Sequence, residues 1–124
     1  MAKKQFKPKV SRTQTAEDVQ KQDITIRWVE LINARSFLER RIMCGEGSVT
    51  MAISYFLEKF YSLFYATQFY VSQDVKEETG LMFADMRNGM IDIEKAFAQC
   101  DKYVYECYRK GMFIEEEMMA EEGF

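Results

Sequence analysis

The stretch "SYFLEKFYSLFYATQFYV", Ser54–Val71, carries eight of the chain's eighteen aromatic residues and decides how the fold is interpreted. At about 100° per residue, its phenylalanines mostly fall at the centre of one helical face. Most of its tyrosines fall at the margins of that face, where a hydroxyl group can reach water. The pattern therefore predicts an amphipathic helix, over residues 49–73, with its aromatic face buried in a protein core.

Two other roles for this aromatic helix are less favourable. A membrane span over residues 49–71 would place Glu58 and Lys59 near the bilayer centre. A lysine there raises the free energy of insertion by about 2.5 to 3.5 kcal/mol, and each good apolar residue lowers it by only about 0.3 to 0.6 kcal/mol. Base stacking would need a basic groove beside the rings, but residues 49–71 contain one lysine and no arginine. We therefore expect a packed helix and no membrane association.

Two further helices are predicted on either side of the aromatic one. The first begins at Thr15, whose side chain can cap "TAED", and ends near Cys44, with a possible break at Asp23. The second runs from Leu81 to Gly111, because small or apolar residues recur there at three- and four-residue spacing. The acidic segment 72–80 is expected to form the turn before it. The predicted fold is all-α, an antiparallel three-helix bundle of long helices.

The two ends of the chain carry opposite charges. Residues 1–14 contain five basic side chains and no acid, and residues 112–124 contain five glutamates and no base. We therefore divide the chain into a flexible basic N-terminal arm (1–14), a helical bundle domain (15–111) and an acidic amphipathic tail (112–124). The basic residues of the arm, candidates for nucleic-acid contact, are Lys3, Lys4, Lys7, Lys9 and Arg12.

Composition argues against an enzyme. The chain has no histidine, which removes the commonest general base and the commonest metal ligand. The chain has three cysteines, an odd number, and they are not closely spaced: Cys44, Cys100 and Cys107. The N-terminus lacks an apolar signal segment. We therefore expect reduced thiols, a cytoplasmic location, two core positions at Cys100 and Cys107, no metal or cofactor, and no small-molecule substrate.

Five residues are candidates for a partner interface. Met51, Tyr65 and Phe69 are apolar or aromatic but lie on the flank or back of the aromatic helix, where they would meet solvent unless another chain or the tail covers them. Arg35 and Glu39 interrupt the apolar stripe of the first helix at i,i+4 spacing. A charged pair there is costly unless it is paired or hydrated, so it predicts either an internal ion pair or a contact to a partner.

The sequence resembles no family closely enough to name one, and the functional expectation rests on these features alone. We expect a non-enzymatic structural or adaptor subunit that acts through protein–protein assembly, as a homo-oligomer or within a larger complex, in the manner of a viral or mobile-element assembly or regulatory factor. The alternative is a nucleic-acid-associated protein whose basic arm binds the phosphate backbone. The arm could instead meet the acidic tail of a neighbouring subunit, or both ends could only confer solubility.

Overall fold

A computed structural model describes residues 15–45 and 48–114, and these residues form four α-helices and no strand. The helices are α1 (Ala16–Cys44), α2 (Val49–Thr67), α3 (Gln73–Arg87) and α4 (Ile93–Arg109). The all-α prediction is confirmed, but four helices stand where three were predicted. None of these helices is both long enough and apolar enough to cross a membrane. The arm 1–14 and tail residues 115–124 lie outside the described residues.

Helix α1 begins and ends as its sequence predicts, and it is continuous. Thr15 and Asp18 form a capping box, in which each side chain accepts a hydrogen bond from the other's backbone N–H at 3.2 Å. Gly45 ends the helix with a φ of 68°, a conformation that glycine adopts without steric cost. The helix does not break at Asp23, and that carboxylate binds Arg27 one turn later, at 2.9 Å, instead of capping a new helix.

The acidic segment predicted as a turn is the first half of α3. Helix α2 ends at Thr67, earlier than expected, and Ser72 is the N-cap of α3. The polar residues of "SQDVKEETG" mostly face solvent, whereas Val75 and Thr79 face the core. The prediction of a turn was wrong because it relied on the number of polar residues in the segment. The four-residue spacing of Val75 and Thr79 indicates a helix, and it continues into the apolar positions Met82, Phe83 and Met86.

The long third helix predicted from Leu81 to Gly111 is divided at Gly89. This residue has a φ of 90°, which no α-helix accommodates, and it follows the C-cap residue Asn88. Asp92 then caps α4, since its side chain accepts a hydrogen bond from the backbone N–H of Lys95 at 3.1 Å. The apolar repeat is therefore shared by two helices that fold back on each other.

The four helices alternate in direction around one core. Phe60 of α2 lies at its centre, with its ring centroid 5.0 Å from that of Phe83 in α3 and 6.0 Å from that of Tyr103 in α4. The Tyr103 and Thr67 hydroxyl oxygens are 2.6 Å apart, so the buried phenol has a hydrogen-bond partner. As predicted, Cys100 and Cys107 are buried in this core.

The chain stays on the bundle beyond Gly111, where the tail was expected to begin. Phe113 is buried and stacks on Trp28 of α1 with ring centroids 4.9 Å apart. The backbone N–H of Ile114 donates to Thr25 Oγ1 at 2.9 Å. The end of the described chain therefore closes one end of the space between α4 and α1.

A buried carboxylate holds the turn between α2 and α3. Glu106 of α4 accepts a hydrogen bond from the backbone N–H of Ser72 at 3.0 Å and another from Arg109 at 2.9 Å. The Ser72 bond, followed by that from Arg109, lowers the pKa of Glu106, so the side chain stays ionised where it meets the positive end of α3. This charge links the turn to α4.

Candidate functional surface

Helices α1 and α2 pack as an antiparallel hairpin whose register is set by polar contacts. Arg27 donates to the carbonyl oxygen and the hydroxyl of Ser62, at 3.1 and 2.9 Å. Lys59 pairs with Glu30 at 3.6 Å, and Gln20 donates at 2.8 Å to the hydroxyl of Tyr70, which lies in the turn after α2. These contacts identify which residues of the two helices lie at the same level.

The outer face of this hairpin, the side turned away from the core, exposes four large apolar side chains. Val19 and Ile26 lie on α1, and Met51 and Tyr65 lie on α2; their exposed fractions run from 53% for Val19 to 72% for Met51. The register places Ile26 near the level of Tyr65, toward the end of the hairpin where α1 begins. We call the surface formed by these four residues the outer face. Exposed apolar side chains of this size are typical of interaction surfaces where they lie close together, as Ile26 and Tyr65 do by this register.

The other end of the outer face is a shallow apolar cleft. It has a volume of about 380 Å³, and Met51 lines it together with Phe37, Arg41, Ser48, Tyr55 and Glu58. The Phe37 and Tyr55 rings meet edge to face with centroids 6.2 Å apart, and the Arg41 guanidinium lies 4.8 Å from the Phe37 ring centroid. The aromatic walls are thus fixed by contacts within the chain, while Met51 remains 72% exposed.

Phe69 lies near this surface but not on either helix of the hairpin. It belongs to the turn after α2 and is 76% exposed. The ammonium group of Lys76 in α3 lies 5.1 Å from its ring centroid, a cation–π contact. Phe69 therefore extends the exposed aromatic surface toward α3.

Arg35 and Glu39 lie on the opposite flank of α1, facing α4. Arg35 binds the carboxylate of Asp101 and pairs with Glu39 at 3.5 Å, and its guanidinium lies 4.6 Å from the Phe97 ring centroid. Burial lowers the pKa of Arg35, but the hydrogen bond and charge of Asp101 outweigh burial and raise it overall. The charged pair in the apolar stripe thus joins α1 to α4 through a third residue that the sequence did not single out.

A second cleft, of about 390 Å³, runs beside this ion pair between α1 and α4. Arg35 and Asp101 mark one end, Trp28 lies toward the other, and Tyr105 and Tyr108 stand exposed on its α4 side. Its floor is apolar and includes the buried Cys100. The cleft offers shape and hydrophobic contact, but its charged groups already neutralise each other.

The predicted interface residues therefore do not form one site. Met51 and Tyr65 share the outer face, Phe69 adjoins it, and Arg35 with Glu39 lies across α1 from it. Lys3, Lys4, Lys7, Lys9 and Arg12 lie outside the described residues. Val19 and Ile26 were not among the predicted interface residues, although a helical wheel places both opposite the buried stripe of α1, where apolar residues are unexpected.

The thiols inside the bundle are poor nucleophiles. Burial raises the pKa of Cys100 to about 12, and burial likewise raises the pKa of Cys107 to about 12. Both thiols therefore stay protonated near neutral pH. A thiol must ionise to attack an electrophile or to bind a metal. In residues 15–45 and 48–114, no three carboxylate or thiol side chains converge into a group that could hold a metal ion.

No protein-family model matches the chain, and neither the curated proteins nor the solved structures compared with it gave a match.

Proposed function

We propose that this protein is a non-enzymatic structural or adaptor subunit that acts by protein–protein assembly, with the outer face as its interface. The observation that carries the proposal is the exposure of Val19, Ile26, Met51 and Tyr65 on one side of a single hairpin. Burying these side chains would stabilise the assembly by roughly 25 cal/mol for each Å² of apolar surface removed from water. The aromatic and methionine side chains are also residue types that are enriched in interfaces.

An acidic substitution at Tyr65 tests the proposal. We expect Tyr65→Asp to raise the dissociation constant of self-association about 30-fold, the effect of losing about 2 kcal/mol at an interface hot spot. Sedimentation velocity over a concentration series measures the constant. Thermal unfolding should change little, because Tyr65 is 62% exposed and surface substitutions usually alter stability by no more than about 0.5 kcal/mol.

Tyr105→Asp is the matched control. Tyr105 is 61% exposed on α4. It lines the α1–α4 cleft, across α1 from the outer face, and receives the same change of charge and size. An equal loss of association in both variants would contradict the assignment of the interface to the outer face, as would an unchanged constant in Tyr65→Asp.

A second candidate function rests on the arm. Residues 1–14 carry a charge of +5 without any acid. At the end of the bundle where α1 begins, Lys21 and Lys110 line a cleft together with one acid, Glu17. We propose as the alternative that the arm binds nucleic-acid phosphates. If all five charges engage duplex DNA, log K should fall against log[salt] with a slope of roughly −4.5.

Deletion of residues 1–14 tests this alternative. We expect the deletion to abolish the binding of a fluorescent oligonucleotide, followed by anisotropy at low salt, while the mass of the assembly stays unchanged. If the intact chain binds no oligonucleotide at low salt, the nucleic-acid function is wrong.

A further inference from the structure

We infer that the partner of the outer face is a second copy of this chain, bound so that the two α1 helices run antiparallel. The inference rests on the proposed function and names the partner and orientation for the same surface. Two properties of the outer face carry it, namely the distribution of charge along α1 and the distribution of apolar side chains between the two ends of the hairpin.

Charge along α1 favours the antiparallel orientation. Residues 16–30 contain four acids and two bases, a net charge of −2, and residues 31–44 contain three bases and one acid, a net charge of +2. Asp23, which pairs with Arg27 of its own chain, lies in the negative half, and Arg41, beside the Phe37 ring, lies in the positive half. An antiparallel pair places each negative half against a positive half, whereas a parallel pair places like charges together, which is unfavourable across an interface.

The apolar side chains are also arranged in two complementary groups. Val19, Ile26 and Tyr65 lie toward the end where α1 begins, and the cleft around Met51 lies toward the end where α1 finishes. Glu30 and Lys59, an ion pair within one chain, separate the two groups. A two-fold axis crossing the face near this pair brings the exposed group of each copy to the cleft of the other.

This arrangement is closed. The exposed apolar group of each copy packs into the cleft of the other copy. Both copies therefore use the same surface, and no further copy can bind to it. The expected assembly is therefore a dimer, and the α4 side, with Tyr105 and Tyr108, stays outside the contact.

Cysteine cross-linking tests the orientation in the full chain. Cys44 is exposed at the end of α1, whereas Cys100 and Cys107 are buried. Residues 19 and 44 lie about 37 Å apart along α1, from the rise of 1.5 Å per residue, so a short bismaleimide cannot join them within one chain. In the antiparallel dimer, residue 19 of each copy lies near residue 44 of the other.

We expect Val19→Cys, which keeps Cys44, to form cross-linked dimer at least about tenfold faster than the wild-type chain, because association converts the reaction to one at an effective concentration near millimolar. Val19→Cys combined with Cys44→Ser should be as slow as wild type, since its two thiols then lie at opposite ends of the dimer. Mass spectrometry of the linked peptide identifies the joined residues as 19 and 44.

Other patterns overturn the inference. Fast cross-linking of the wild type through Cys44 alone would show a parallel pair, and slow cross-linking in all three chains would show that α1 does not pair with a second α1. Either result leaves the proposed function standing if association remains sensitive to Tyr65→Asp and insensitive to Tyr105→Asp. Loss of that difference would remove the proposed function itself.

Discussion

Replacement of Phe60 by alanine is expected to lower the free energy of unfolding by about 3 to 5 kcal/mol, the range for deletion of a fully buried phenylalanine. Phe60 is inaccessible to solvent and contacts one aromatic ring from each of α2, α3 and α4, namely Phe56, Phe83 and Tyr103. The cavity would open where three helices meet, so none of them can close it alone. Urea unfolding followed by circular dichroism measures the change.

Tyr65→Ala provides the matched control for Phe60→Ala. It removes a ring of similar size from the same helix, but from the exposed outer face, so the free energy of unfolding should change by no more than about 0.5 kcal/mol. If the two variants were destabilised equally, the orientation of α2 described above would be wrong.

Alkaline unfolding is the second large effect. The pKa of Cys100 and that of Cys107 are each raised to about 12 in the fold, whereas a cysteine in the unfolded chain ionises near pH 8.5. Above that pH the unfolded state releases protons that the folded state retains. The free energy of unfolding should therefore be unaffected by these thiols below about pH 8.5 and fall by about 1.4 kcal/mol per pH unit for each thiol as the pH rises toward 12.

Tyr103 adds to this loss at the highest pH. Burial raises the pKa of its phenol, an effect that its hydrogen bond to Thr67 only partly opposes. The unfolded state therefore gains a further advantage once the pH exceeds about 10, where an unperturbed tyrosine ionises.

Urea titrations at pH values from about 8 to about 11 measure how steeply the free energy of unfolding falls with pH. This range spans the pKa values of cysteine and tyrosine in an unfolded chain. In Cys107→Ala, the free energy of unfolding should decrease less steeply with pH, because one of the two buried thiols is gone. This holds whatever the effect of the substitution on stability at neutral pH. Cys44→Ser, at the exposed end of α1, is the control and should retain the full slope. A free energy of unfolding that does not fall above pH 9 in the intact chain would contradict the burial of these thiols.

Local sequence signals predicted the first half of the fold well. The capping box at Thr15, the left-handed Gly45 and the cap at Ser48 each depend on residues within one turn of the helix end, so they can be recognised without the tertiary structure. The face of α2 centred on Phe56 and Phe60 follows from helical periodicity alone. Continuity through Asp23 could not be decided in this way, because an aspartate can either cap a helix or pair with Arg27 inside it.

The second half was mispredicted because helical periodicity does not reveal a reversal of the chain. The apolar repeat remains in phase from Met86 to Ile93 across the turn at Gly89, so one long helix and two antiparallel helices give the same pattern. The pair Asn88 and Gly89, followed by a possible cap at Asp92, contained the correct information. Burial of Phe113 was likewise missed, since its partner Trp28 lies 85 positions away in the sequence (113 minus 28).

The candidate surface could be predicted only in part. Met51 and Tyr65 are recognisable as apolar side chains off the buried face of α2, and Arg35 as a charge within the stripe of α1. Their grouping depends on the register of the α1–α2 hairpin and on the packing of α1 against α4, which long-range contacts such as that between Arg35 and Asp101 determine. These contacts separate Arg35 from the outer face and bring Ile26 to it.

The solution mass of the intact chain tests the assembly proposal most directly. The chain has a mass of 14.7 kDa, so the two-fold dimer should approach 29.4 kDa, twice that value, in multi-angle light scattering as the concentration rises through the micromolar range. A mass of 14.7 kDa at every concentration, with no protein co-purifying, would contradict assembly through the outer face.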